Sequence, residues 1–362
     1  MEKNRFLFLL LISLSLIGLW FCLFLNPGSK ISNQLPKTTS SFPSFQFKPP
    51  PLTLERIFQE NHSWMTGWLG RKVIVLITTG DVMLGRAVNF KSYYSQNFIW
   101  PFEKTAETFK KANLTFINLE SPLVENCPLT TEGMKFCADP KNIAGLKFAG
   151  IDVANLANNH ANNYGSEGIK TTLSLLKNAN ILTTGVSGPV FKESKGNHFA
   201  FLGYNDTGAG NLMITPANKN KISQELNDTK TKADVVVVAF HWGIEYTSQP
   251  TKRQQELAHW AIDSGANLVI GHHPHWIQPV EIYKGGIILY SLGNFIFDQA
   301  WSEKTKQGIV GRFTFFENQL VDVELLPVEI DNFGQPSFMT ADQKTRILEE
   351  IEQLSKVLIK RN

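Results

Sequence analysis

The histidine-rich stretch 271–275, Gly-His-His-Pro-His, follows the largely apolar run 267–270 and limits the folds that this chain can adopt. It places three of the eight histidines of the chain within four residues. The apolar run predicts a buried parallel strand, and open α/β sheets bind ligands at the carboxyl ends of such strands. Pro274 prevents the strand from continuing and turns the imidazoles toward one point, as a metal ion requires. The alternative is a surface loop with a chance cluster of histidines.

Other apolar runs also end in residues that can bind a metal ion or transfer a proton. The runs are 73–79, 114–119, 152–156 and 234–240. Each one alone is a weak signal, because a polar residue after a strand is usually part of an ordinary turn. Together they favour a shared site at the strand ends, and the candidates that they place there are Asp81, Glu120, Asn159, His160 and His241.

The composition is that of a globular protein and excludes one class of partner. The chain has 362 residues, of which 43% are hydrophobic and 19% are charged, enough for one large domain or two small ones. The net charge is only +3, and no Lys/Arg-rich block is present. Nucleic-acid binding is therefore not expected.

The amino terminus predicts a membrane anchor. Residues 6–25 are uncharged and mostly apolar, and Lys3 and Arg5 precede them. Such a stretch is long enough to cross a bilayer, with the basic end in the cytoplasm and the rest of the chain outside. A cleaved signal peptide is the alternative, but bulky Trp20 and Phe21 stand where small residues would mark a cleavage site. Retention as an anchor is favoured.

The remaining chain divides into a spacer, a domain and a terminal helix. Residues 26–51 are rich in Pro, Ser and Thr and predict a disordered spacer. Residues 52–335 form the expected domain, and 336–362 should pack on it as an amphipathic helix. Cys127 and Cys137 bracket nine polar-loop residues and could form a disulfide in an oxidising compartment.

The motifs, taken in order, resemble those of a known family. They lie at 80–86, 118–122, 155–160, 241–243, 271–275 and 291–295. This series resembles the bacterial capsule-synthesis CapA family, which is associated with poly-γ-glutamate synthesis and export. That family is in turn similar to the calcineurin-like metallophosphatases. The resemblance implies an α/β fold, a metallophosphatase-like β-sandwich flanked by helices in α/β/β/α layers, with two metal ions at the strand ends.

The resemblance also implies roles for individual residues. Asp81 would bind the first metal, Glu120 would bridge both metals, and Asn159 with His241 would bind the second. Two further ligands are expected at His273 and His275, with His272 as the runner-up. His160 would be the catalytic residue that faces the substrate and donates a proton to a leaving group or an oxyanion.

Two positions depart from the phosphatase pattern. Met83 stands where a histidine ligand of the first metal is expected, and Glu120 replaces a shorter bridging aspartate. The loss of a nitrogen ligand weakens or alters the first site, which puts inherited phosphatase activity in doubt. The remaining His, Asn and carboxylate donors suit two divalent ions of Mn, Fe or Zn.

Two functions follow from these expectations. The first is a membrane-anchored, extracytoplasmic, metal-dependent hydrolase that acts on an anionic cell-surface polymer, such as poly-γ-glutamate, or on its precursor. The second is a non-catalytic component that binds the polymer, or the subunits of a capsule synthase or exporter, through a degenerate metal site. Metal content discriminates between them, because a degenerate site would hold less than a full complement of ions.

Overall fold

The structure is a computed structural model that describes residues 51–62, 73–208 and 213–361. Pro49–Asn362 form one compact unit. The predicted anchor and nearly all of the predicted spacer lie outside the described residues. Within the described ranges, no helix is both long enough and apolar enough to cross a membrane.

The first sheet has eight strands and contains the segments that carry Asp81 and Glu120. Its strands are β1 (Val73–Val82), β2 (Leu114–Leu119), β3 (Val153–Asn155), β4 (Leu182–Thr184), β11 (Asn294–Ile296), β12 (Gln307–Phe316), β13 (Gln319–Asp331) and β14 (Gln335–Phe338). The strand order is β14-β13-β12-β1-β2-β3-β4, and β11 also pairs with β1. Strands β1 to β4 are parallel, whereas β12 runs antiparallel to β1. Every residue of β2 is buried, as expected for a parallel strand covered on both faces.

The second sheet has six strands and contains the segments that carry His241 and His272. Its strands are β5 (Val190–Ser194), β6 (Asn197–Asn205), β7 (Val235–His241), β8 (Leu268–His272), β9 (Val280–Tyr283) and β10 (Gly286–Leu289). The order is β5-β6-β7-β8-β10-β9. The four central strands are parallel, and the edge strands β5 and β9 are antiparallel to their neighbours.

Helices pack against both sheets. They are α1 (Leu54–Phe58), α2 (Arg86–Ser95), α3 (Ala106–Lys110), α4 (Ile143–Ala149), α5 (Gly165–Asn178), α6 (Lys219–Thr229), α7 (Lys252–Asp263) and α8 (Ala341–Arg361). Helices α2 to α7 cover the outer faces of the sheets. One apolar core joins the first sheet to α2, α3, α4 and α5, and another joins the second sheet to α6 and α7. A reciprocal capping box between Thr251 and Gln254 fixes the start of α7.

A third core lies between the two sheets. Phe116 of β2 stacks on Phe201 of β6 with ring centroids 5.3 Å apart. Ile57 of α1 and Ile351 of α8 also join this core. This mixed α/β architecture of two sheets with flanking helices confirms the coarse prediction of the fold.

Strand β1 is longer than the sequence predicts. The apolar run ends at Thr79, but the strand continues to Val82 because Asp81 and Val82 pair with both β2 and β11. The register shifts between Thr78 and Asp81. Asp81 is therefore held within the sheet and is not on a loop beyond it.

Candidate metal centre

Asp81 is fixed by a close approach between two backbone segments. Its N–H donates to the carbonyl oxygen of Gly293 at 2.9 Å. A Cβ atom at Gly80 would lie 2.3 Å from that same oxygen, so only glycine permits this contact. The neighbouring glycines thus set the depth of the Asp81 carboxylate, which is fully buried.

The Asp81 carboxylate is surrounded by donors. Asn118 Nδ2 donates to Oδ1 at 2.9 Å, and the backbone N–H of His273 donates to Oδ2 at 3.2 Å. The Nδ1 atoms of His272 and His275 lie 3.1 and 3.2 Å from the two oxygens. Burial raises the pKa of Asp81, but the interactions with His272 and His275 outweigh it and hold that pKa well below its usual range. Asp81 is therefore an ionised ligand candidate.

Glu120 is the most unusual group in the site. It follows β2, is fully buried, and neither of its carboxylate oxygens accepts a hydrogen bond. Burial, together with the charges of Asp81 and Glu245, raises the pKa of Glu120 well above its usual range. A buried carboxylate without a donor is costly unless a cation compensates its charge, so this residue fits a metal ion.

Two groups of potential ligands meet at Glu120. Among the described residues, one group is Asp81, Glu120 and His241, and the other is Glu120, His273 and His275. Within each group the ligand atoms lie within 4.8 Å of one another, and every member is buried. Glu120 belongs to both groups, so its carboxylate could contact an ion held by either of them.

Asn159 and His241 meet across the two sheets. The Nε2 atom of His241 lies 2.8 Å from Asn159 Oδ1 and 3.6 Å from Glu120 Oε1. His241 ends β7, whose residues are all buried. Burial and the nearby His273 hold the pKa of His241 well below its usual range, so its imidazole is neutral. A neutral imidazole is the form that binds a metal.

The histidine-rich turn adopts a strained backbone. His273 and His275 both have positive φ angles, 95° and 57°, on either side of Pro274. Left-handed conformations of non-glycine residues cost about 1–3 kcal/mol each and cluster at functional sites. This backbone conformation ends β8 and directs both imidazoles toward Glu120.

His275 is oriented by Asn294, which sequence reasoning missed. Asn294 Nδ2 donates to the carbonyl oxygen of Thr305, so its Oδ1 faces His275 Nδ1 at 2.9 Å. The Nδ1 atom of His275 therefore carries the proton, and Nε2, 4.0 Å from Glu120 Oε1, keeps its lone pair. The signal was available, because Asn294 lies within the motif 291–295.

His272, the runner-up ligand, belongs to neither group. It is 1% exposed, and neither ring nitrogen makes a hydrogen bond. Its Nδ1 atom approaches Asp81 Oδ1 at 3.1 Å without hydrogen-bond geometry. The structure thus places His273 and His275, and not His272, in a ligand group with Glu120.

Met83 does not contribute a donor to the site. Its sulfur accepts a hydrogen bond from the backbone N–H of Gly85 at 2.9 Å. The side chain is fully buried and forms an apolar cluster with Phe136 and Phe297. Met83 therefore packs against apolar residues beside the site, at the position where the resemblance expects a histidine ligand.

His160 lies beside the ligand groups but in neither of them. Its Nδ1 atom lies 2.9 Å from Asn163 Oδ1, and its ring stacks on Phe136 with centroids 3.9 Å apart. Burial lowers the pKa of His160 to about 4, and the hydrogen bond to Asn163 offsets this only in part. The neutral imidazole is therefore the main form at pH 7, whereas a proton donor requires the protonated form.

A network of buried asparagines shapes the strand ends, and sequence reasoning gave these residues no structural role. Asn155 Nδ2 donates to Asn118 Oδ1 at 3.0 Å, and Asn158 Nδ2 donates to the carbonyl oxygen of Leu119 at 2.8 Å. Asn158 Oδ1 accepts from the backbone N–H groups of His160 and Ala161. The network ties β2 to β3 and holds the loop that carries Asn159 and His160. The sequence signal for this network was the presence of asparagines within or directly after apolar strands.

A disulfide joins Cys127 to Cys137, as the sequence predicts. It closes a loop that ends beside the site, since Phe136 precedes the second cysteine. Arg86 donates a hydrogen bond to the carbonyl oxygen of Gly133 in this loop, and it also forms an ion pair with Asp298. The loop is thereby attached to the strand ends at several points.

Comparison with known proteins gives a family. The profile described as "Bacterial capsule synthesis protein PGA_cap" matches residues 75–299. The "Capsule biosynthesis protein CapA" of Bacillus anthracis is 31% identical over 77% of this chain and 72% of its own length. A "Probable polyglutamine synthesis accessory protein" of Mycobacterium tuberculosis is 25% identical over 61% of this chain and 65% of its own length.

The chain was also compared with solved structures. The "novel phosphatase" of Mycoplasma pneumoniae covers 72% of this chain and 94% of its own chain, with 16% identity and a TM-score of 0.47. The assignment rests on the sequence matches, of which the profile alone covers more than half of the chain. The chain belongs to the bacterial capsule synthesis protein family, the CapA-like proteins of capsule and poly-γ-glutamate biosynthesis.

Proposed function

We propose that this chain is a membrane-anchored, extracytoplasmic, metal-dependent hydrolase that acts on an anionic cell-surface polymer, such as poly-γ-glutamate, or on its precursor. Membership in the capsule family supplies the biological setting. The observation that carries the hydrolase proposal is Glu120, a fully buried carboxylate without a hydrogen-bond donor that is shared by two groups of ligands. A carboxylate in this position would bridge two cations, which would compensate its buried charge.

The residues present fit two divalent ions of Mn, Fe or Zn. Asp81 would hold the first and Asn159 with His241 the second, while His273 and His275 complete the set around Glu120. When bound, such ions lower the pKa of a coordinated water and stabilise an oxyanion. The donors are neutral imidazoles together with carboxylate and amide oxygens. This set suits Mn, Fe or Zn better than it suits soft ions that prefer thiolate ligands.

The chain's own residues would orient the substrate and the ions. Asn294 holds His275 in the ligating tautomer, and Asn118 positions the Asp81 carboxylate. His160 lies outside both ligand groups and would exchange a proton with the substrate. Phe136 covers one face of this imidazole and excludes water from it.

The proposal places the domain outside the cytoplasm. Residues 6–25 support an anchor, and a disulfide between Cys127 and Cys137 suits an oxidising compartment. Protease added to intact cells should release the domain by cutting between residues 29 and 51. Complete protection of a chain whose surface is accessible to an antibody would contradict this topology.

The second candidate is a non-catalytic accessory subunit that binds the polymer or the capsule synthase. Met83 favours it, because the first metal has lost the histidine that the phosphatase resemblance expects. The printed name of the Mycobacterium tuberculosis relative also describes an accessory protein.

A cleavage assay decides between the two candidates. Full-length protein in detergent, supplied with Mn²⁺ or Zn²⁺, is incubated with poly-γ-glutamate and with a chromogenic phosphodiester. Hydrolysis that disappears in Asp81→Asn supports the hydrolase. Metal-dependent retention of the polymer without any cleavage supports the accessory subunit.

A further inference from the structure

We propose that Asn163 is a positioning residue that fixes the tautomer of His160, so that the imidazole presents an unprotonated Nε2 atom to the substrate. This inference rests on the proposed function only for placing His160 on the substrate side. The tautomer itself follows from hydrogen bonds among residues that bind no metal. It also changes the role expected of His160 from proton donor to hydrogen-bond acceptor. An unprotonated Nε2 atom accepts a hydrogen bond from an O–H or N–H group of the substrate.

The orientation of the Asn163 amide is determined by the backbone. The N–H group of Phe136 lies 2.6 Å from Asn163 Oδ1. A backbone N–H can only donate, so the side-chain atom that faces it must be the oxygen and not the nitrogen of the amide. The oxygen and nitrogen atoms of the Asn163 amide therefore cannot be interchanged.

The same oxygen faces the imidazole. His160 Nδ1 lies 2.9 Å from Asn163 Oδ1, an acceptor with two lone pairs. An unprotonated Nδ1 atom would place a lone pair against this oxygen, which is repulsive. The neutral imidazole must therefore carry its proton on Nδ1, and Nε2 is left as the acceptor.

Phe136 is itself held in place. Its side chain is 1% exposed, and Cys137, the next residue, forms the disulfide with Cys127. The Arg86 guanidinium lies 4.6 Å from the centre of the Phe136 ring. The disulfide loop therefore supplies both the ring that stacks on His160 and the N–H group that orients Asn163.

An amide at this position has a specific chemical consequence. In a histidine–carboxylate pair, the carboxylate fixes the tautomer and also stabilises the imidazolium. Asn163 fixes the tautomer in the same way but stabilises the imidazolium less, since its amide carries no charge. Asn163→Asp should therefore keep the Nδ1–H tautomer, because the carboxylate offers an acceptor at the same position.

The test observes the tautomer directly. Full-length protein in detergent with Zn²⁺ is labelled with ¹⁵N in the histidine rings, and His160 is assigned by the signal lost in His160→Gln. Two-bond ¹H–¹⁵N correlations show which nitrogen carries the proton. We expect Nδ1–H in the wild type and in Asn163→Asp, and loss of the pure Nδ1–H pattern in Asn163→Ala. Asn220→Ala, at an exposed asparagine of α6, is the matched control and should keep the wild-type pattern.

Two results would overturn the inference. One is an Nε2–H tautomer in the wild type, and the other is an unchanged Nδ1–H pattern in folded Asn163→Ala. If Asn163→Ala fails to fold, Asn163→Asp still decides: its carboxylate keeps an acceptor beside Nδ1, so the Nδ1–H pattern should persist, and an Nε2–H pattern in this variant contradicts the inference. Metal content measured on the same samples keeps the failures apart, because a wild type that shows Nδ1–H but binds no metal refutes the proposed function alone.

Discussion

His275 Nδ1 lies 2.9 Å from Asn294 Oδ1, which leaves the other imidazole nitrogen directed toward Glu120. Hydrogen bonds of this kind fix the tautomer and the orientation of metal-binding histidines. The contact joins the histidine-rich turn after β8 to the first residue of β11, which pairs with β1 beside Asp81. The ligands of one centre are therefore positioned by segments far apart in sequence.

Replacement of Asn294 should weaken metal binding without abolishing it. We expect Asn294→Ala to lower the affinity for Mn²⁺ or Zn²⁺ about 10–100-fold, because His275 loses the acceptor that orients it. Asn294→Asp keeps an acceptor and should retain more of the affinity. Titration calorimetry measures both variants against Asn220→Ala, and equal affinities in all three would show that this hydrogen bond is irrelevant to the metals.

Glu120→Gln should separate metal binding from intrinsic stability. The substitution removes the bridging charge, so metal content should fall sharply. In EDTA-treated protein the thermal midpoint should stay the same or rise, because a buried carboxylate close to Asp81 is destabilising without a cation. Glu132→Gln changes an exposed acid and serves as the control. A large loss of stability of the metal-free Glu120→Gln protein would contradict this role of the residue.

Acid should destabilise the metal-free protein through two buried histidines. Burial lowers the pKa of His160 to about 4 and, together with His275, that of His273 to about 4, from an ordinary value of 6.5. Between these values the unfolded chain binds more protons than the folded one, so stability falls as the pH is lowered from 6.5 to 4. A tenfold difference in proton affinity between the folded and unfolded chain corresponds to about 1.4 kcal/mol of unfolding free energy.

Denaturant unfolding of EDTA-treated protein at several pH values measures this effect. His160→Gln and His273→Gln should each reduce the dependence of the unfolding free energy on pH within that window. His198→Gln, at an exposed histidine, is the matched control. Equal slopes in all four proteins would remove these two residues as its source.

The disulfide should contribute to stability more than to metal binding. Cys127 and Cys137 are ten residues apart, and a loop of this length corresponds to about 3 kcal/mol of unfolding free energy in the chain-entropy model. The paired substitutions Cys127→Ser and Cys137→Ser should lower stability by roughly that amount. Metal content should persist, since neither cysteine contacts a ligand. Loss of the metals at unchanged stability would show instead that the disulfide serves metal binding and not stability.

Much of the fold and of the centre could be predicted because local sequence determines them. Apolar runs such as 114–119 and 234–240 become parallel strands, and the polar residue after each run lies at the shared edge of the sheets. Glu120 and His241 are brought together for this reason. The strained turn at Pro274 follows from the inability of proline to continue a strand.

The remaining features depend on contacts that only the folded chain creates. Thr79 ends the apolar run, yet pairing with β11 extends β1 through Asp81 to Val82. Asn163 gains its role from Phe136, whose position depends on the disulfide. The spacing of the histidines alone could not place His273, and not His272, in a group with Glu120, because that grouping depends on the backbone of the folded turn.

Metal stoichiometry of the full-length protein tests the proposed two-metal centre most directly. The purified chain is stripped with EDTA, reconstituted with Mn²⁺, Fe²⁺ or Zn²⁺, freed of excess ion and analysed by elemental mass spectrometry. With one of these ions we expect two per chain. We also expect a clear loss in His241→Ala, and retention in His160→Ala, since His160 lies outside the ligand groups. Fewer than one ion per chain with all three metals, or equal loss in both variants, would contradict the proposed centre.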